Sequence, residues 1–171
     1  MPYWQLFYHV VWATKQRAPL LTADIAPLTH DLLKQKALAL GARVFAVNGV
    51  EDHVHMVVAI PPKIAVARFV GQVKATAATQ VNKLVQREKA LAWQEEYGVF
   101  SLDGKRLPNH IAYVERQQEH HAANTTIPLL ERTGSQQTDS KTLRESTAPY
   151  LAISDDWWQE LMADDQDSDS P

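Results

Sequence analysis

The sequence predicts an α+β domain: a four-stranded antiparallel sheet of βαββαβ connectivity, two helices on one face, and an added helix after the last strand. Three observations point there. Four short segments are rich in β-branched and aromatic residues. Two long segments with a 3.6-residue apolar period alternate with them. The third strand is stopped by Pro61-Pro62, which cannot continue a ladder, just before the second helix.

The first strand candidate spans residues 3–14. Trp4, Leu6, Tyr8, Val10 and Trp12 line one face; Tyr3, Phe7, Val11 and Ala13 share the other with Gln5 and His9. With both faces this apolar, it reads as a central strand. Lys15-Gln16-Arg17-Ala18-Pro19 is a basic loop, either a solvated connection or a phosphate contact. Thr22 is placed to N-cap a helix reaching about Leu40, with Asp24 in its first turn. Ile25, Leu28, Leu32 and Leu33 give that helix its stripe, and Gly41 its stop.

Residues 42–50 read as the second strand, joined by a tight hairpin to the third, residues 51–60. A long alanine-rich helix follows from Val66 to Glu88, periodic through Phe69, Val70, Val73, Ala77, Val81 and Leu84, with Lys74, Lys83 and Arg87 mostly off the stripe. Residues 93–102 form the fourth strand, where Gly98 marks a bulge or a close approach. Asp103-Gly104 is a turn, and a final helix runs from Pro108 or Asn109 to His121. This order is that of the ferredoxin-like split β-α-β unit, in which the first and third strands are central.

Composition narrows the function. There are no cysteines, which excludes disulfides, thiolate chemistry and cysteine-ligated zinc. Gln5, His9, Lys15, Gln16 and Arg17 interrupt any apolar leader, and no stretch reaches membrane-spanning length, so a cytoplasmic protein without membrane contact is expected. The net charge of −3 hides an asymmetry. Residues 1–134 carry 15 Lys+Arg against 11 Asp+Glu, whereas residues 135–171 carry 2 against 9. A mildly basic body keeps nucleic acid open as a partner. The expected division is a catalytic domain over residues 1–133 and an acidic, partly disordered extension over 134–171.

The third strand carries the chemistry. In Glu51-Asp52-His53-Val54-His55-Met56-Val57, alternation puts His53 and His55 on one face, about 6.7 Å apart, and Val54 on the core side. Two imidazoles on a stiff strand can grip a metal ion, yet two ligands do not complete a site. On the last helix, Tyr113 and Gln117 share a face, about 6 Å apart along the axis. The helix ends in Glu119-His120-His121, whose histidines read as favourable cations near the helix C-terminus.

Taken together, these segments resemble the single-tyrosine HUH transposases, the small transposases of a bacterial insertion-sequence family and their relatives associated with repetitive extragenic palindromes. His53-Val54-His55 matches the HUH signature. Tyr8-His9-Val10-Val11-Trp12-Ala13-Thr14-Lys15, the Pro61-Pro62 stop, Tyr97-Gly98-Val99-Phe100-Ser101 and Ile111-Ala112-Tyr113-Val114-Glu115-Arg116-Gln117 agree with the family over residues 3–125. Glu51 stands where the family pattern has proline.

The resemblance implies that Tyr113 attacks a phosphodiester of single-stranded DNA, leaving a 5′-phosphotyrosine and a free 3′-hydroxyl. It implies that His53, His55 and Gln117 hold one divalent ion. Two imidazoles alone suit zinc, iron or copper; the resemblance favours Mg2+ or Mn2+. It further implies hairpin-bearing DNA as substrate and a homodimer whose sites are completed in trans, with Gly104 as the pivot of an exchanged helix. Lys15, Arg17, Lys74 and Arg106 are the candidate DNA contacts. Two other classes fit the residues: a ferredoxin-like sheet that binds single-stranded nucleic acid without cutting it, and a metallohydrolase using water. A covalent DNA adduct dependent on Tyr113 separates both from the transposase.

Overall fold

The apolar alternation of the strand segments is realised as a single sheet. The computed structural model describes residues 3–134, so the acidic extension from residue 135 lies outside the described residues. Strands β1 (Phe7–Ala13), β2 (Arg43–Val50), β3 (His53–Ala59) and β4 (Gly98–Leu102) pair in the order β2-β3-β1-β4, every pair antiparallel. Helices α1 (Ala26–Ala39) and α2 (Val66–Leu84) separate them in the expected βαββαβ order. The added helix is two: α3 (Leu107–Glu115) and α4 (Gln117–Ala123), broken where Arg116 leaves helical geometry at φ −100° and ψ 20°.

Val10 and Trp12 of β1, Val54, Met56 and Val58 of β3, Ile25, Leu33 and Ala37 around α1, and Phe69, Val70, Val73, Ala77 and Val81 of α2 make the main core. Val54 thus faces the helices as its position demands. The opposite face carries a second core: Ala46 and Val57 pack under Tyr113, Val114 and Leu130. β3 is therefore buried along its whole length.

Some boundaries differ from the sequence reading. β1 begins at Phe7 because its ladders end there, at Ala59 on one side and Leu102 on the other; Tyr3 is left exposed. α1 starts at Ala26, because the Thr22 hydroxyl turns to the Asp24 carboxylate and receives Arg87 rather than capping the helix. Its other end is as expected. Gly41 takes φ +81°, its N–H bonding to Leu38 O and that of Ala42 to Ala37 O, a Schellman closure. α2 stops at Leu84, whose side chain is exposed. β4 is reduced to five residues, and Trp93 lies outside it, joined to the sheet by an isolated bridge to Thr14 and held by an indole N–H bond to Lys74 O and an edge-on contact with Trp12.

Gly98 is the close approach that its position in a strand suggested. A Cβ there would lie 2.0 Å from Arg132 O and 2.9 Å from a methyl of Val11. The chain beyond α4 is laid over this bare spot and fastened by Gln94 and Arg17 to Thr133. Gly98→Ala should force that segment off the sheet and cost about 1–3 kcal/mol, read as a lower urea midpoint. A midpoint unchanged from the parent chain would mean that the segment shifts freely.

Candidate active site

The hairpin turn Glu51-Asp52 delivers the two histidines. Its backbone is anchored by N–H donors of Thr14 and Leu21 to the carbonyls of Asp52 and Glu51, 2.8 and 2.9 Å. The Asp52 carboxylate then works in two directions: Oδ1 accepts from His53 Nδ1 at 2.6 Å, and Oδ2 accepts from Arg17 Nη1 at 3.1 Å. His53 is held in one ring orientation, with Nε2 turned to the interior.

There it meets Glu131. Oε2 of this carboxylate lies 2.9 Å from His53 Nε2, 3.3 Å from His55 Nε2 and 3.4 Å from His121 Nε2. Oε1 accepts the Tyr113 hydroxyl. The phenol oxygen in turn accepts the Ile127 N–H at 3.0 Å, and its ring stacks on His120 at 4.8 Å. Glu131 sits in the turn behind α4, where Leu130 and Ile127 anchor the backbone in the second core. His53, His55 and Glu131 form the group of donor atoms, all within 4.8 Å of one another, able to hold a metal ion among the described residues.

A third layer lies behind His55. Its Nδ1 is 2.8 Å from His9 Nε2, and His9 Nδ1 is 2.8 Å from His110 Nδ1. All three rings are buried.

Burial sets the protonation states. Desolvation alone would lower His53, but its bonds to Asp52 and Glu131 prevail and raise it to about 8. Desolvation dominates at His55 and His110, both pushed down to about 4. Burial would raise Glu131; the bonds from His53 and His55 override it and hold the carboxyl well below its usual range. Burial, then the bond to Glu131, pushes the Tyr113 phenol up, and the nearby Gln117 amide pulls weakly the other way. The resting nucleophile candidate is a neutral phenol against an ionised carboxylate.

The sequence matches the family model of the IS200-like transposases over residues 2–117. The chain belongs to that family. It is 29% identical over 121 residues to the ISDra2 transposase TnpA of Deinococcus radiodurans, covering 68% of this chain and 86% of that one. With the transposase of insertion sequence IS200 from Salmonella typhimurium it shares 30% identity over 71 residues, 42% of this chain and 47% of that protein. Among solved structures, a transposase from Deinococcus radiodurans superposes with a TM-score of 0.54 at 24% identity, covering 68% of this chain and 95% of that one. A REP-associated tyrosine transposase bound to a REP hairpin gives 0.52 at 13%, over 82% and 96%. These two likenesses support the fold.

Within this IS200-like transposase, the expected site residues fare unequally. His53, His55 and Tyr113 come together; the His55 and Tyr113 rings are 6.0 Å apart. They do so within one chain, where the resemblance implied completion in trans. Gln117 is buried beside the phenol with neither amide atom in a hydrogen bond of good geometry. Arg17 is engaged by Asp52 and Thr133, so it braces the histidine turn. Lys74, expected as a DNA contact, is buried instead, and its ammonium donates to the carbonyls of Gln94, Glu95 and Glu96, tying α2 to the segment before β4. Lys15 is exposed, and Arg106 pairs with Asp103 at 3.6 Å.

Glu131 was missed because it lies past the last matching motif. The apolar cluster Ile127-Pro128-Leu129-Leu130 before it was the signal that this stretch packs. His120 and His121 do more than complement a helix end, since one stacks on Tyr113 and the other reaches Glu131. Among the described residues, no helix is long and apolar enough to cross a membrane.

The raised His53 value makes a stability prediction for the chelated protein. Its contribution is fully present below about pH 6.5 and is lost as pH rises through about 8. The shift corresponds to about 2 kcal/mol. Urea midpoints in EDTA should fall over this window, and His53→Gln should flatten the profile there.

Proposed function

We propose that this transposase cuts and rejoins single-stranded DNA at hairpin-flanked element ends through a 5′-phosphotyrosine on Tyr113. The observation that carries the reading is the shared carboxylate: one side of Glu131 accepts the Tyr113 hydroxyl while the other faces His53 and His55. The same few ångströms hold a nucleophile, a proton acceptor and imidazole donors. Hairpin DNA as substrate is supported by the REP hairpin bound to one structural relative.

The residues fit a divalent ion. His53 and His55 would hold it, with Glu131 as the nearest third donor, and Gln117 is a buried amide lacking a well-made bond. Such an ion polarises the scissile phosphate and neutralises charge developing on it. Imidazoles with a carboxylate suit Mn2+ better than Mg2+, and both remain compatible with the family.

The chain's own groups do the rest. Stacking on His120 and the Ile127 N–H fix the phenol oxygen in place. As that oxygen bonds to phosphorus, its proton passes to Glu131 Oε1, to which it is already bonded. The bond from phosphorus to the 3′ oxygen breaks, and that oxygen takes up a proton to become the 3′-hydroxyl. Because the tyrosine ester conserves the phosphodiester's energy, an incoming 3′-hydroxyl reverses the step and joins strands. The non-catalytic alternative needs an open sheet face for bases to stack on. Here α3 and the turn behind α4 cover the face that carries the histidines.

Tyr113→Phe should abolish the denaturant-stable protein–DNA adduct on single-stranded hairpin DNA, and EDTA should suppress it in the parent chain. An adduct surviving in Tyr113→Phe would overturn the reading. Should the protein pair as a homodimer whose sites keep the within-chain meeting of His55 and Tyr113, mixing His55→Ala with Tyr113→Phe subunits should restore no cleavage. Recovered activity in the mixture would assign the exchanged, trans arrangement instead.

A further inference from the structure

His9 and His110 are buried titratable groups that the proposed chemistry leaves unused. Polar groups sunk this deeply are ordinarily there to satisfy something. His9 meets His55 at 2.8 Å through Nε2 and His110 at 2.8 Å through Nδ1. Its ring stands nearly edge-on to both, at 81° and 78°, an arrangement that in-plane hydrogen bonds between imidazoles allow. It is the physical link between two elements, since His55 lies on β3 and His110 on α3, three residues before Tyr113 and on the same helix face.

We propose that His9 positions both halves of the site: it ties His55 to the tyrosine helix, and the direction of the chain it forms decides whether His55 turns a lone pair or an N–H toward Glu131. A neutral imidazole has one donor and one acceptor. Both bonds at His9 can therefore be made only if the three ring protons point the same way. In one order His110 donates to His9 and His9 to His55 Nδ1, which leaves the His55 proton on Nε2, facing Glu131 Oε2 at 3.3 Å. In the other, His55 Nδ1 donates to His9 and His9 to His110, which frees the His55 Nε2 lone pair for a cation. Passing from the first to the second, one proton leaves at His55 Nε2 and one enters at His110 Nε2. The charge on the three rings is unchanged.

The proposal rests on the cation-ligand reading only for what the freed lone pair serves. The test uses the full chain labelled with 15N at its histidines, with Zn2+ alone as the probe. Long-range proton–nitrogen spectra assign the protonated nitrogen of each ring. Without metal, His55 should carry its proton on Nε2; with Zn2+ it should move to Nδ1, and His9 and His110 should switch with it. His9→Leu should weaken Zn2+ binding by about tenfold to a hundredfold, as loss of an orienting partner does. His9→Gln keeps one donor and one acceptor and should recover most of that loss. The proposal is overturned if His55 keeps the same protonated nitrogen throughout, or if His9→Leu binds Zn2+ like the parent. If the parent binds no Zn2+, the metal-site reading falls and the free spectrum alone judges the relay. Three protons in one direction support it; a mixed order refutes it.

Discussion

Everything at this site follows from sinking two imidazoles into a strand that is covered on both faces. Water cannot satisfy them there, and an unpaired buried polar group costs about 1–3 kcal/mol. Each ring nitrogen of the pair is therefore set against a protein group: Asp52 and Glu131 for His53, His9 and Glu131 for His55. Arg17 braces Asp52, and His110 backs His9. The polar layer is thus a set of compensations for burial, arranged so that the free ends converge on one small volume. Convergence is what makes the arrangement chemically useful, because preformed donors lose little freedom when a cation or phosphate arrives.

Much of this was legible in the sequence, for identifiable reasons. Period-two alternation and the Pro61-Pro62 stop define β3, and alternation alone puts His53 and His55 opposite Val54. The helical stripe of α2 is read correctly at Phe69, Val70, Val73, Ala77 and Val81. What the sequence hides is long-range. Lys74 looks like a solvated cation on the edge of that stripe. Only the fold shows three carbonyls, twenty or so residues on, waiting for its ammonium. His9 likewise reads as one polar residue on a strand face until the β1–β3 register sets it beside His55. Glu131 is a lone acid in a loop, and no local pattern marks a loop residue whose partners lie on β3 and α3.

The break at Arg116 shows how a helix is fitted to such a site. A continuous helix would carry His120 and His121 away along its axis; instead the chain turns after Glu115, where Asn48 Nδ2 holds the last carbonyl of α3 at 2.9 Å. α4 follows directly, and its two histidines lie against Tyr113 and Glu131. Asn124, in left-handed geometry at φ 55°, ends α4 and sends the chain toward the acidic turn.

The carboxylate's place in the chain also sets an order of assembly. Sheet, imidazole pair and tyrosine are all encoded before residue 118, but the acid that joins them emerges from the ribosome later, on the strap that crosses Gly98. A nascent polypeptide still lacking that strap has the phenol and the rings but no shared anion between them. Completion of the centre in this sense waits on an acid 18 residues beyond the tyrosine it bonds.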